Sequence, residues 1–165
     1  MAETTSTSPG SPRGELLRDW VAASEAERRA WAGFLRAHSR ITKALDRELV
    51  AAHDLPLSEY DVLVQLALTE DGRLRMSDLA EAIVLTPSGL TRLVDRLGQR
   101  GLLCRERCPE DARVVYAVIT DAGIEKLVET SSTHFDGVRR LFWGRLSELQ
   151  VEELAGIVGR LTDPS

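Results

Sequence analysis

MSDLAEAIVLTPSGLTRLVDRLGQRGLLCRERCPEDARVVYAVIT, residues 76 to 120, reads as a short amphipathic helix, a tight turn, a second amphipathic helix, and two β-rich runs joined by a charged loop. The second helix has both ends written in the sequence. Thr86 is a good N-cap, because its hydroxyl can accept an orphan N–H of the first turn, and Pro87 suits the first helical position, where a missing N–H costs nothing. The helix is predicted to run to Arg100: Gly101 can take the left-handed conformation that closes it, and Arg96 and Arg100 suit the negative pole of its dipole. Leu90, Leu93, Val94 and Leu97 recur at helical spacing as a buried stripe. The opposite face shows Ser88, Thr91, Arg92, Asp95, Arg96 and Gln99, a mixture of hydroxyls and arginines able to reach phosphates and base edges. An ordinary solvated face has the same look, so the neighbours must decide.

Upstream, Ser77 can cap a helix through about Ile83, with Leu79, Ala80 and Ile83 facing inward and only a few residues before Thr86. Downstream, Leu102 to Arg107 and Val114 to Thr120 are rich in strand formers, and the Cys108-Pro109-Glu110-Asp111 loop joins them. Helix, turn, helix and hairpin in this order predict a winged helix-turn-helix.

LSEYDVLVQLA, RLRMSDLAEAI and LTPSGLTRLVDRLGQRGLL, followed by the Asp111-x-Arg113 pair and a strand closing in ITDAG, resemble the MarR (multiple antibiotic resistance regulator) family of transcription factors. The resemblance covers roughly residues 25 to 163 in order and spacing. It implies that the helix over 86–100 enters the major groove of DNA through Thr86, Pro87, Ser88, Gly89, Thr91, Arg92, Asp95 and Arg96. It also implies that Arg113 of the wing reaches the minor groove or backbone. Asp111 would then hold the wing tip, and Asp95 is a candidate partner for Arg113. Gly98 departs from good helix chemistry, since glycine inside a helix costs about 1 kcal/mol relative to alanine.

The expected fold is mainly α with a small β wing, a winged helix-turn-helix flanked by N- and C-terminal dimerisation helices. Residues 1–14 are Ser-, Thr-, Pro- and Gly-rich with almost nothing to bury, and are expected to form a disordered tail. Residues 15–57 hold the N-terminal helices. The first is ELLRDWVAA, and the second is a long run that Ser24 and Glu27 open with capping-box spacing, striped by Trp31, Phe34, His38, Ile41, Leu45, Leu49 and Ala52. Residues 58–120 form the DNA-binding domain. Ser58 is expected to cap its first helix, with Glu59 and Asp61 in the first turn. Asp71-Gly72 then leads into Leu74 and Arg75, which suit a third short strand, with Arg73 and Arg75 as candidate phosphate contacts. Residues 121–165 return as helices, the first bearing Ile124, Leu127, Val128, Phe135, Val138, Leu141 and Phe142 and the second Leu149, Leu154, Ile157, Val158 and Leu161. So much apolar surface around a DNA reader argues for a homodimer, and a two-fold pair of readers argues for a palindromic operator.

Net charge is −5 over 165 residues, yet residues 73 to 113 hold eight arginines against six acids, so charge is segregated towards the reader. The start has no apolar core of a secretory signal and no stretch spans a bilayer, which leads to an expectation of a cytoplasmic protein without membrane contact.

Three scattered histidines, His38, His53 and His134, lack metal-site spacing, and no nucleophile has a catalytic context, so neither enzyme nor cofactor is expected. His38 lies on the long helix's apolar stripe, where a hydrogen-bonded core histidine is the expectation. Cys104 and Cys108 are expected to be inert thiols, since the family's oxidant sensors carry their cysteine near the start of the first long helix and this chain has none there.

The resemblance implies a small anionic aromatic or lipophilic effector in a crevice between dimerisation helices and DNA-binding lobe, for which Trp31, His38, Tyr60 and Arg105 are candidates. The urate-responsive branch adds Trp20, Asp61 and Arg92 at similar positions. A competing expectation is a winged-helix protein-interaction module that has lost DNA binding, which the acidic balance permits.

Overall fold

The computed structural model describes residues 18, 20, 22–83, 87–111 and 113–162. The expected tail, most of the expected first helix and the Thr86 cap lie outside the described residues. The elements run α1 (Glu25–His53), α2 (Leu57–Ala67), β1 (Arg73–Arg75), α3 (Met76–Ala82), α4 (Pro87–Gln99), β2 (Leu103–Arg107), β3 (Val115–Ile119), α5 (Asp121–Leu141), a 3-10 turn (Trp143–Arg145) and α6 (Glu148–Thr162). The chain forms two compact units that divide within α1, one ending at Arg40 and the other running from Ile41.

In the first unit the capping box closes as expected: Ser24 N–H donates to Glu27 Oε2 at 2.6 Å, and Glu27 N–H to Ser24 Oγ at 3.2 Å. Trp31, Phe34 and His38 form a stacked row, with ring centroids 6.2 and 6.4 Å apart, on an exposed face of α1. His38 is therefore on the surface of this chain rather than in a core.

The second unit is built around α2, whose Tyr60, Val62, Leu63 and Leu66 are buried against Leu79 of α3, Leu90, Leu93, Val94 and Leu97 of α4, and Ala117 and Ile119 of β3. The stripe expected for the reader, α4, is the stripe that is buried. Ser58 does not cap α2. The helix starts one residue earlier, at Leu57, and its first N–H donates to Asp46 Oδ1 of α1 at 2.9 Å, so the capping oxygen arrives from another helix. Nor does Ser77 cap α3, which starts at Met76 with no side-chain cap; the Ser77 hydroxyl donates to Asp78 instead.

The three strands pair antiparallel in the order β1-β3-β2, with Arg75 opposite Tyr116 and Arg105 opposite Ala117. The short strand expected around Leu74 and Arg75 is β1.

The reader ends one residue before the expected Arg100. Gly101, at φ 71°, reverses the chain, with its N–H on Gly98 C=O at 3.0 Å and Leu102 N–H on Leu97 C=O at 3.0 Å. Thr120 then ties this end to α5. Its hydroxyl donates to Gly101 C=O at 2.7 Å and accepts Gly123 N–H at 3.1 Å, and its own N–H donates to Leu102 C=O at 3.2 Å. A Cβ on Gly123 would lie 2.0 Å from the Leu102 carbonyl oxygen, so only glycine allows this approach.

Among the described residues, no helix is long and apolar enough to cross a membrane.

Candidate nucleic-acid interface

The outward face of α4 carries Ser88, Thr91, Arg92, Asp95, Arg96 and Gln99, all exposed, with Gly89 half-buried beside them. Beside it the wing and the start of α3 border an open cleft of about 600 Å³, lined by Arg75, Met76, Ser77, Thr91, Arg105, Arg107, Arg113, Val114 and Val115. Four guanidinium groups thus converge on one opening, and Arg92 lies on the adjoining helix face with no carboxylate paired to it among the described residues. Such a concentration of cations at the edge of an otherwise acidic chain is an anion-receiving surface.

The arginines are held by different means. Arg105 Nη1 is 2.9 Å from Asp95 Oδ1, and its Nη2 donates to the Thr91 carbonyl at 3.2 Å, so β2 is stitched to the reader. This corrects the expected Asp95–Arg113 pair: β2 runs alongside α4 and brings Arg105 within reach, whereas Arg113 stands out at the hairpin loop. Its Nε lies 3.5 Å from Asp111 Oδ1 and its side chain is 95% exposed. The same Asp111 oxygen accepts the Arg113 N–H at 3.0 Å, a bond from the Asp111 side chain to the backbone two residues on. Arg73 bonds Asp71 at 2.6 Å and lies over the Tyr116 ring at 5.0 Å, while Arg75 is hydrogen-bonded to the Tyr116 hydroxyl.

Arg96 behaves differently from Arg92. Its Nε donates to Glu59 Oε1 of α2 at 3.0 Å, and Arg100 Nη1 donates to Glu59 Oε2 at 2.8 Å. Sequence reasoning placed Glu59 in a first turn without a role and missed Arg107. The signals were there: Arg107 follows Arg105 by two, the spacing of one strand face, and Glu59 stands on the buried stripe of α2.

The effector candidates fall on separate features. Trp31 and His38 belong to the stacked row of the first unit, and Trp20 in that unit is exposed. In the second unit Tyr60 is 3% exposed and stacks on His134 of α5 at 4.4 Å; burial raises the pKa of its hydroxyl and lowers that of His134. Arg105 faces the cleft between reader and wing. Asp61 is exposed as a residue, yet atoms packed around its carboxyl desolvate it and push its pKa up from 3.8 to about 6. Both cysteines are free thiols, Cys104 exposed and Cys108 half-buried. Among the described residues no three His, Cys, Asp or Glu side chains group as metal ligands would.

Known proteins share this architecture. The family model for the MarR family matches residues 53–114. The HTH-type transcriptional repressor IacR of Pseudomonas putida is 30% identical over 119 residues, covering 72% of this chain and 69% of that protein. AbsC, a MarR family transcriptional regulator from Streptomyces coelicolor, superposes with a TM-score of 0.78 at 31% identity, over 84% of this chain and 93% of its own. Sco3205, a MarR family transcriptional regulator from the same organism crystallised in complex with DNA, superposes with a TM-score of 0.77 at 35% identity, over 87% of this chain and 92% of its own.

Proposed function

Because this chain belongs to the MarR family of DNA-binding transcriptional regulators, we propose that it is a dimeric, ligand-responsive repressor. It binds a palindromic operator with the reader helix in the major groove and the wing over 102–120 against the backbone or minor groove. The observation that carries this reading is the arginine-lined cleft beside the exposed face of α4. The DNA-bound state of Sco3205 supports it, and the name of IacR supports the repressor role.

Dimerisation is supported by apolar surface that the single chain leaves in water. Trp31 and Phe34 on α1, Ile124, Val128 and Phe135 on α5, and Leu149, Ile157 and Leu161 on α6 are all exposed. Such surface is characteristic of an obligate interface. For the ligand response, a small anionic aromatic or lipophilic molecule is the effector class proposed.

The test is an anisotropy titration against the duplex upstream of the protein's own gene and a scrambled control, at two salt concentrations, with the mass in solution from light scattering. A dimer with salt-dependent preference for the upstream duplex is expected; equal binding of a monomer to an isolated half-site overturns the palindrome. Absent or salt-insensitive binding would favour the interaction-module reading. Release of the duplex by an anionic aromatic, with urate as one probe, tests the ligand response.

A further inference from the structure

Beside the buried Tyr60, the buried residues of α2 stand at positions 59, 62, 63 and 66, the i, i+3, i+4, i+7 spacing of one helix face, and three of these four are Val62, Leu63 and Leu66. The fourth is Glu59, 2% exposed. A carboxylate on such a stripe is sustained only where cations come to it. Both come from the C-terminal end of the reader: Arg96 of α4 and Arg100, the residue just past it, take one carboxylate oxygen each. The arginine side chains are 53% and 32% exposed, against 3% for Glu59. Glu59 is therefore the fixed member of the cluster, and the arginines are the members able to swing to water or to a phosphate.

We propose that Glu59 is a positioning residue for DNA recognition. It sets the rotation of the reader about its own axis, and it withholds Arg96 and Arg100 from sequence-independent phosphate binding, leaving Arg92 facing the duplex. The proposal rests on the DNA-reading function proposed above. It carries a signature that simple destabilisation does not: loss of the Glu59 charge moves specific and non-specific affinity in opposite directions. Specific affinity falls because base contacts require the helix within a fraction of an ångström of its place. Non-specific affinity rises because each arginine set free adds a phosphate contact.

The test uses Glu59→Gln, which keeps the shape while removing the buried charge, and a duplex that the wild-type protein selects from a randomised pool, with a scrambled duplex beside it. Affinity for the selected duplex is expected to fall about tenfold. Affinity for the scrambled duplex at low salt is expected to rise about threefold, with a salt dependence steeper by roughly one to two released ions. In the DNA-free protein, amide exchange over residues 93–100 is expected to accelerate while that of α5 is unchanged. Both affinities moving together, or neither moving, overturns the recognition role, and unchanged exchange over 93–100 overturns the anchoring itself. Should the wild-type protein select no duplex, the DNA-reading function fails and takes the recognition role with it, while exchange still reports whether Glu59 anchors the helix. If Glu59→Gln folds poorly, Glu59→Asp, which keeps the charge but draws it back by one methylene, is expected to show the same opposed shifts at smaller amplitude.

Discussion

The Asp95 carboxylate of the reader lies 2.9 Å from the Arg105 guanidinium of β2, and the two side chains are 49% and 39% exposed. The pair joins wing to reader at the lip of the arginine-lined cleft. A half-exposed pair of this kind contributes under about 1 kcal/mol to stability, so on the proposed DNA-reading function its effect is expected in the charge each partner shows to DNA. Arg105→Ala is expected to weaken operator binding by about tenfold and to reduce the salt slope by about one, with little change in melting temperature. Asp95→Asn is expected to raise affinity for every duplex, since it removes an acid from the face proposed to meet phosphate. Anisotropy titrations across salt check both signs; equal effects of the two variants would place this pair away from DNA.

Arg113 and Arg92 separate wing from reader. Neither supports the fold, Arg113 being 95% exposed with only a 3.5 Å contact to Asp111 and Arg92 lying exposed on α4. Alanine at either position should leave thermal unfolding unchanged and cost about 1–3 kcal/mol of operator binding where the arginine reads a base. A uniform loss across all sequences identifies a phosphate contact instead. Unchanged affinity in both variants would mean that another face meets the duplex.

Two glycines give opposite outcomes on substitution by alanine. A Cβ on Gly98 meets nothing nearer than the Leu103 carbonyl at 3.8 Å, so Gly98→Ala should stabilise the reader by about 1 kcal/mol. A Cβ on Gly123 would lie 2.0 Å from the Leu102 carbonyl, so Gly123→Ala should destabilise by about 3 kcal/mol or more, or fail to fold. Chemical denaturation of the two variants side by side decides.

Asp61 makes stability depend on pH. Desolvation raises its folded pKa from 3.8 to about 6, so the folded chain holds this proton more tightly than the unfolded chain does. Its contribution is fullest at pH below 3.8 and is lost as pH rises through about 6. Asp61→Asn should therefore stabilise progressively across that window and level off above it. His134 runs the other way, its lowered pKa removing stability as pH falls below the ordinary 6.5, so the difference between Asp61→Asn and wild type is the quantity to measure. A difference in melting temperature that stays flat from pH 4 to 8 would show that Asp61 titrates normally.

Periodicity in the sequence was enough to find the elements. Leu90, Leu93, Val94 and Leu97 repeat at the helical period, Gly101 ends the reader, and the strand formers around the Cys108-Pro109 loop make a hairpin. The contacts that periodicity does not carry were missed. Asp46 caps α2 from eleven residues away in α1, and Ser58, the plausible local cap, lies inside the helix. Asp95 finds Arg105 because β2 passes beside α4, a juxtaposition that the hairpin's register sets and that sequence distance hides. Glu59 was readable in principle, since an acid on an apolar stripe demands cations, but nothing local said that Arg96 and Arg100 would supply them.

The joint at Thr120 makes the reader and α5 a single geared part. Thr120 grips the Gly101 and Leu102 carbonyls, and the bare Cα of Gly123 rests against the same turn. A hydroxyl and an N–H bonded to adjacent carbonyls, with a backbone contact too close for any Cβ, leave little slack, so a tilt of α5 is expected to carry the reader's end with it. In the proposed dimer, the pitch between two readers on one duplex would then be dialled by α5 and not by the wing.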